Sequence, residues 1–182
     1  SFYLGAKSIC PTVTMDVVFT GSWYDETLEK EGAESLIKGG AKLISQHADS
    51  MGAPTACENA GIPNIAYNAP TVESCPNTFI ISSRINWAPY FEYICTQVAN
   101  DQPIDTDWTG TIATGSVELS DINETAAAAG TAEKLAELQA QILDGSLNIF
   151  DTATFTVNGE TLVDDLVVDG YYAESSAVSA PS

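Results

Sequence analysis

Two adjacent aromatic residues, Trp23 and Tyr24, are the side chains of this sequence best suited to bind a flat, uncharged molecule. An indole presents a flat apolar face and one N–H donor, so it can stack on a planar heterocycle. The pair follows a short apolar run, residues 17–19, and precedes Asp25, where a helical pattern begins. The run predicts a strand at residues 15–19 that is buried in a parallel sheet. In open α/β sheets, ligands bind at the carboxyl ends of such strands.

Three other loops with polar and aromatic side chains are predicted to reach the same edge of the sheet. Residues 46–50 follow one predicted strand, residues 67–70 follow the next, and Asn86 with Trp87 opens the helix after a fourth strand. The loops combine aromatic faces, amides, a carboxylate and an imidazole, which suits a neutral polar ring with several hydrogen-bonding edges. The predicted ligand-binding residues are Ser22, Trp23, Tyr24, His47, Asp49, Asn68, Asn86 and Trp87.

Some of these residues also fit a structural role when each is considered alone. Trp23 fits packing, His47 fits a structural histidine, and Asp49 fits a cap on the helix that follows it. The ligand-binding interpretation therefore depends on the convergence of the loops.

The elements that must position these loops alternate between strand and helix. Further strands are predicted at residues 42–46, 63–67, 79–82 and 109–119, and helices at 25–38, 52–59, 88–100 and 131–143. The alternation indicates βαβ units, and hence an α/β fold with an open parallel sheet flanked by helices. The helix at 88–100 is predicted to bury Phe91, Ile94, Cys95 and Val98. Asn158 and Gly159 lie between two β-rich runs and predict a hairpin.

Charge and cysteine content exclude several classes of partner. The chain of 182 residues has 25 acidic and six basic residues, and its formal net charge is −19. Such a surface repels nucleic acid polymers and anionic lipid. With one histidine and four cysteines without a CxxC motif, no metal site or cofactor is predicted. The cysteine spacing permits up to two disulfides and demands none.

No enzyme activity is predicted. The sequence has no GxSxG, P-loop or GxGxxG motif, and no nucleophile lies beside His47, the only histidine. Cys57 falls within a predicted helix without an evident activating group.

Three separated motifs resemble the basic membrane protein (BMP) family, the substrate-binding lipoproteins of ABC transporters. Residues 20–25 read TGSWYD, residues 46–50 read QHADS, and residues 86–90 read NWAPY. The family patterns are TGSWxD, QHTDS and NWGPYY, in the same order and at similar spacing. The similarity extends along nearly the whole chain. The departures are Ala48, where the family usually has Thr, and Ala88, where it usually has Gly.

The resemblance implies a type I periplasmic-binding-protein-like fold with two lobes. This chain would be only the later half of that two-lobed protein. Residues 1–78 would form the core of the second lobe, 79–103 would return to the missing N-terminal lobe, and 104–173 would complete the second lobe. Residues 174–182, rich in Ser and Ala, would be a disordered tail. Without the N-terminal lobe, residues 79–82 are expected to form an unpaired edge strand. The partner would be that lobe or a second copy of the chain.

The resemblance also implies a function. The protein would capture a purine nucleoside or base for an ABC importer and deliver it to the permease, as an extracytoplasmic, membrane-anchored lipoprotein. Trp23 would stack on the ligand. Asn68 falls where the family often has an acid that binds a ribose, so the choice between nucleoside and base is open. One alternative is a ligand-sensing domain of a regulator or receptor with the same fold, and another is a flavodoxin-like enzyme.

Overall fold

A computed structural model describes residues 2–147 and five two-residue strands between residues 156 and 179. The chain divides into two compact units. One is Val17–Gln139, and the other combines residues 1–16 with residues 140–182. The helices are α1 (Phe2–Ile9), α2 (Glu26–Lys38), α3 (Gly52–Ala60), α4 (Ala88–Ala99) and α5 (Thr131–Asp144).

The unit Val17–Gln139 is built on a four-stranded sheet. Its strands, in spatial order, are β1 (Ile44–Ser45), β2 (Asn64–Tyr67), β3 (Phe79–Ile85) and β4 (Val117–Leu119). The first three run parallel, and β4 is antiparallel to β3. Helix α3 connects β1 to the parallel β2, so the predicted βαβ unit is confirmed. Of the strand predicted at residues 109–119, only β4 forms.

Local sequence signals fix the start of α2 and the end of α3. Asp25 caps α2, because its Oδ1 accepts a hydrogen bond of 3.0 Å from the Leu28 backbone N–H. Gly61 ends α3 in the left-handed conformation, at φ 65°. The two helices pack through the small buried residues Ala33, Ala53 and Ala56.

Strand β3 is an inner strand of the sheet. It pairs with β2, where Ala66 lies opposite Ser82, and with β4, where Ser83 lies opposite Leu119. Phe79 is buried in one core cluster with Ala66 and Cys75. The expectation that residues 79–82 form an unpaired edge is wrong, because they pair with β2 on one side, and on the other side the carbonyl oxygens of Ile80 and Ser82 accept from the backbone N–H groups of Asn123 and Ser120. The assignment of residues 79–103 to another lobe stays a prediction.

The predicted strand at residues 15–19 does not form. The segment has no regular secondary structure, and the Phe19 side chain is 90% exposed. Val18 instead lies against Gly32 of α2. The physical reason is that β-branched composition favours a strand only when the segment also joins a ladder, and residues 15–19 do not join the sheet. Among the described residues, β1 pairs on one side only, with β2.

Helix α4 is confirmed, but its predicted burial is wrong. None of its residues is buried, and Phe91 and Val98 are 58% and 62% exposed. Periodicity identified an apolar face, but no described element covers that face. Five aromatic rings cluster around this helix, with centroid separations between 5.1 and 6.5 Å: Trp87, Tyr90, Phe91, Tyr93 and Trp108.

The other unit contains α1 and short strands. The strands are β5 (Thr156–Val157), β6 (Glu160–Thr161), β7 (Val167–Val168), β8 (Tyr171–Tyr172) and β9 (Val178–Ser179). β5 and β6 pair antiparallel with Val157 opposite Glu160, which confirms the predicted hairpin. β9 pairs with β5. The rest of the predicted tail, residues 174–182, lies outside the described residues, and its disorder stays a prediction. In the described part of the chain, no helix is both long and apolar enough to cross a bilayer.

Candidate ligand-binding site

Three of the four predicted loops follow the carboxyl ends of neighbouring parallel strands. Residues 46–50 follow β1, Asn68 follows β2, and Asn86 with Trp87 follows β3. Because β1, β2 and β3 are parallel, these loops leave the sheet at the same edge. The predicted convergence of these three loops is seen, and their role in binding a ligand stays a prediction.

The loop at residues 20–25 joins this edge without a strand before it. The Asp49 backbone N–H donates a hydrogen bond of 2.9 Å to the Trp23 carbonyl oxygen. Within the loop, the Ser22 hydroxyl donates to the Tyr24 carbonyl oxygen at 3.0 Å, and Gly21 adopts φ 70°. Ser22 therefore shapes the loop. The side chains of Trp23 and Tyr24 are 75% and 64% exposed, which leaves their ring faces accessible.

A buried acid, Glu29, connects the 20–25 loop to the 46–50 loop. It was not among the predicted site residues. Its side chain is only 5% exposed. The Asp25 N–H donates to Glu29 Oε1 at 2.9 Å, and the Ser50 N–H donates to Glu29 Oε2 at 3.1 Å. A capping box would place an acid three residues after the N-cap, whereas Glu29 lies four residues after Asp25, so the usual spacing did not indicate the bond to the Asp25 N–H. The bond to Ser50 depends on the tertiary fold.

The loop at residues 46–50 folds around the amide of Gln46. Gln46 Nε2 donates to the carbonyl oxygens of Ala48 and Ser50, at 3.2 and 3.3 Å. Gln46 Oε1 in turn accepts from Nδ2 of the fully buried Asn64, which also donates to the Ile44 carbonyl oxygen. The loop backbone is thus held from the sheet side, and its exposed side chains point away from these bonds.

His47 and Asp49 occupy distinct positions in this loop. The His47 ring packs on Tyr67 at the end of β2, with ring centroids 4.1 Å apart and an interplanar angle of 38°. Asp49 does not cap α3, because the N-cap position is Met51 and the Gly52 N–H is bonded to the Ser50 hydroxyl. Within the described part of the chain, the exposed Asp49 carboxylate makes no hydrogen bond. It is available to a ligand.

The two asparagines differ in how far their side chains are engaged. Asn68 adopts φ 58°, and its Oδ1 accepts from the Ile85 N–H at 3.2 Å, which joins the ends of β2 and β3. Asn86 donates through Nδ2 to the Gly115 carbonyl oxygen and accepts through Oδ1 from the Ala88 N–H. Asn86 therefore positions Trp87 at the start of α4. Trp87 itself is 57% exposed.

Residues 1–147 match the model of the Bmp family, described as ABC transporter substrate-binding protein, PnrA-like. The match covers well over half of the chain. The chain belongs to this PnrA-like family.

Relatives of the PnrA-like chain carry names of different kinds. It is 32% identical over 91 residues to a purine-binding protein of Brucella abortus. It is 33% identical over 88 residues to a Haloferax volcanii protein named, provisionally, as the glucose-binding protein TsgA13 of an ABC transporter. It is 34% identical over 109 residues to metabotropic glutamate receptor-like protein J of Dictyostelium discoideum. These alignments cover 50%, 48% and 59% of this chain and 26%, 22% and 13% of the relatives.

Solved structures confirm the fold of the PnrA-like chain. A solute-binding protein of an ABC transporter system from Conexibacter woesei superposes with a TM-score of 0.65 at 18% sequence identity. The superposition covers 82% of this chain and 51% of that protein. The chain therefore has the α/β fold of ABC solute-binding proteins, as predicted, and spans about half the length of this structural relative.

Proposed function

We propose that this chain forms one wall of a ligand cleft in the binding protein of an ABC importer. The ligand is a small planar solute, a purine nucleoside or base, and the facing wall is an N-terminal lobe or a second copy of the chain. The two walls close around the ligand and present it to the permease, with no chemistry performed on it. The protein acts outside the cytoplasm as a membrane-anchored lipoprotein.

The observation that carries this proposal is the exposed Trp23 indole on a loop whose backbone is fixed. The side chain is 75% exposed, while its carbonyl oxygen is bonded to the Asp49 N–H at 2.9 Å. A loop with a fixed backbone loses less conformational freedom when a planar ring stacks on the indole. Beside it, the Asp49 carboxylate supplies an acceptor for ligand N–H or O–H groups.

The names of the relatives support two ligand classes. The Brucella abortus relative is named for purine binding and the Haloferax volcanii relative, provisionally, for glucose. We favour the purine because the flat indole face of Trp23 suits a planar heterocycle.

The decisive experiment is calorimetric titration of the two-lobed protein with inosine, hypoxanthine and glucose. We expect saturable binding of inosine or hypoxanthine. Binding of glucose alone would overturn the purine assignment, and binding of none of the three would overturn the proposed ligand class.

A second candidate function is ligand sensing, in which the same cleft reports occupancy to a receptor. The similarity to a Dictyostelium discoideum receptor-like protein, at 34% identity over 59% of this chain, favours this candidate. The two functions differ in their partner. An importer subunit should stimulate ATP hydrolysis by its ABC transporter in proteoliposomes when ligand is present. A sensor should be joined to a membrane-spanning signalling segment and should leave that ATPase unchanged.

A further inference from the structure

Glu29 is the only charged side chain that is buried in the described part of the chain. Burying a carboxylate is costly unless hydrogen bonds or opposite charge compensate it. Among the described residues, no lysine or arginine forms an ion pair with Glu29. Its compensation comes from two backbone N–H groups, those of Asp25 and Ser50, at 2.9 and 3.1 Å. Such charge-assisted hydrogen bonds are stronger than neutral ones.

The two donors belong to different loops. Asp25 ends the loop with Trp23 and Tyr24, and Ser50 ends the loop with His47 and Asp49. One carboxylate therefore spans the two segments that carry most of the predicted ligand-binding side chains. A third bond, from the Asp49 N–H to the Trp23 carbonyl oxygen, joins the same loops without involving Glu29.

Helix capping alone does not account for this arrangement. The cap of α2 is already supplied by Asp25, whose Oδ1 accepts from the Leu28 N–H. The bond from the Asp25 N–H to Glu29 is like the second bond of a capping box, but Glu29 lies four residues after the N-cap and not three. The second carboxylate oxygen serves a different segment, since it accepts from Ser50, which lies beyond β1.

We propose that Glu29 is a positioning residue that fixes the 20–25 and 46–50 loops in one arrangement, so that Trp23 and Asp49 meet the ligand together. The inference rests on the proposed function for the ligand, and on the hydrogen bonds above for the coupling of the loops. Loops fixed before binding lose less entropy when the ligand arrives, which raises affinity.

The test is amide hydrogen exchange, measured by NMR, in the wild type, Glu29→Gln and Glu31→Gln. Glutamine keeps the size of Glu29 but replaces one of its two acceptor oxygens by an NH2 donor, so one of the two loop N–H groups loses its acceptor. Glu31→Gln removes the same charge from an exposed position on the same helix. We expect exchange of the Asp49 N–H to accelerate roughly tenfold or more in Glu29→Gln, which corresponds to the loss of one charge-assisted hydrogen bond. The Glu31→Gln variant should exchange like the wild type.

The Asp49 N–H is the informative reporter because Glu29 does not touch it. A capping role alone would accelerate exchange at Asp25 and in the first turn of α2 and leave Asp49 protected, and that result would overturn the proposal. If Glu29→Gln does not fold, hydrogen exchange in the wild type alone tests whether the two loops are coupled. The amides of Asp25, Asp49 and Ser50 should then share one opening free energy, and openings that differ more than about tenfold in population would contradict coupling.

A ligand measurement separates this inference from the proposed function. In the two-lobed protein, Glu29→Gln should weaken inosine or hypoxanthine binding by about an order of magnitude relative to Glu31→Gln. Unchanged affinity together with faster Asp49 exchange would show that the coupling does not serve the ligand. If the wild type binds neither compound, the proposed function fails, and the exchange data still decide whether Glu29 couples the loops.

Discussion

The backbone N–H of Asp49 donates a 2.9 Å hydrogen bond to the carbonyl oxygen of Trp23. The bond joins a loop that follows a strand to a loop that has no strand before it. Trp23 therefore takes its position at the edge of the sheet from its neighbour along that edge and not from the sheet itself. The indole is consequently sensitive to changes in the 46–50 loop.

Replacing Trp23 by alanine should weaken ligand binding in the two-lobed protein. Aromatic–base stacking contributes about 1–3 kcal/mol by alanine substitution, which corresponds to a roughly 5- to 150-fold loss of affinity. Calorimetry measures the change. Phe19→Ala is the control, since that side chain is 90% exposed and lies just before the loop. If Trp23→Ala and Phe19→Ala bind the ligand with equal affinity, Trp23 does not contact the ligand.

Lowering the pH should weaken the hydrogen bonds by which Glu58 attaches α3 to the segment before β3. The Thr78 hydroxyl, which donates at 2.6 Å, lowers the pKa of the Glu58 carboxyl below its ordinary value, and Asn77 contributes further hydrogen bonds. A carboxyl with a lowered folded-state pKa contributes stability that is present above its unfolded pKa and lost as pH falls through the folded value.

Glu58→Gln should therefore lower the urea midpoint at pH 6 and have less effect below pH 4. Glu34→Gln, on the exposed face of α2, should show little change at either pH. If Glu58→Gln lowers the urea midpoint by the same amount at both pH values, the ionised Glu58 carboxylate is not the source of the stability.

The four thiols should divide into two reactive and two unreactive groups. Cys10 and Cys95 are exposed, whereas Cys57 and Cys75 are buried. Burial, and to a smaller extent the neighbouring Cys75, raise the pKa of Cys57 to about 11, and burial also raises the pKa of Cys75. Because the thiolate is the reactive form, Ellman's reagent at pH 7.5 should titrate two thiols in the folded protein and four in urea. Cys95→Ser should remove a fast thiol, and Cys57→Ser should not.

Gly52→Ala should destabilise the packing of α2 on α3. A Cβ on Gly52 would overlap the Glu26 carbonyl oxygen and lie 2.9 Å from the Lys30 backbone nitrogen, and backbone atoms cannot turn away. Overpacking of this kind costs about 1–3 kcal/mol. At Gly32 of α2, the nearest atom to an added Cβ belongs to the exposed Val18 side chain, which can move. Gly32→Ala should therefore be neutral or stabilise by up to about 1 kcal/mol, from helix propensity. Urea unfolding of both variants measures the contrast.

Signals that lie within a short stretch of sequence were sufficient to predict much of the fold. Asp25 located the start of α2, and the alternation of strand and helix located β1, β2 and β3. Because these strands are parallel, the sequence also placed three loops of the candidate site at one edge.

Features that depend on contact between distant segments could not be predicted. Residues 17–19 have the composition of a strand but do not pair with any described strand, although one edge of β1 is open. The apolar face of α4 was visible in the periodicity, whereas its exposure depends on which elements cover it. The bond between Glu29 and Ser50 depends on the packing of α2 beside the end of β1, and no spacing rule indicates it.

The backbone of Asn68 bears on how ligand preference can evolve. Asn68 lies at φ 58°, and its side-chain oxygen accepts from the Ile85 N–H. A residue at this position must therefore tolerate the left-handed region and carry a short side chain with an oxygen acceptor. Aspartate meets both requirements. Asparagine and aspartate codons differ by one base. A lineage can therefore gain or lose an acid at this predicted ligand-binding position in one mutational step while the ends of β2 and β3 stay joined.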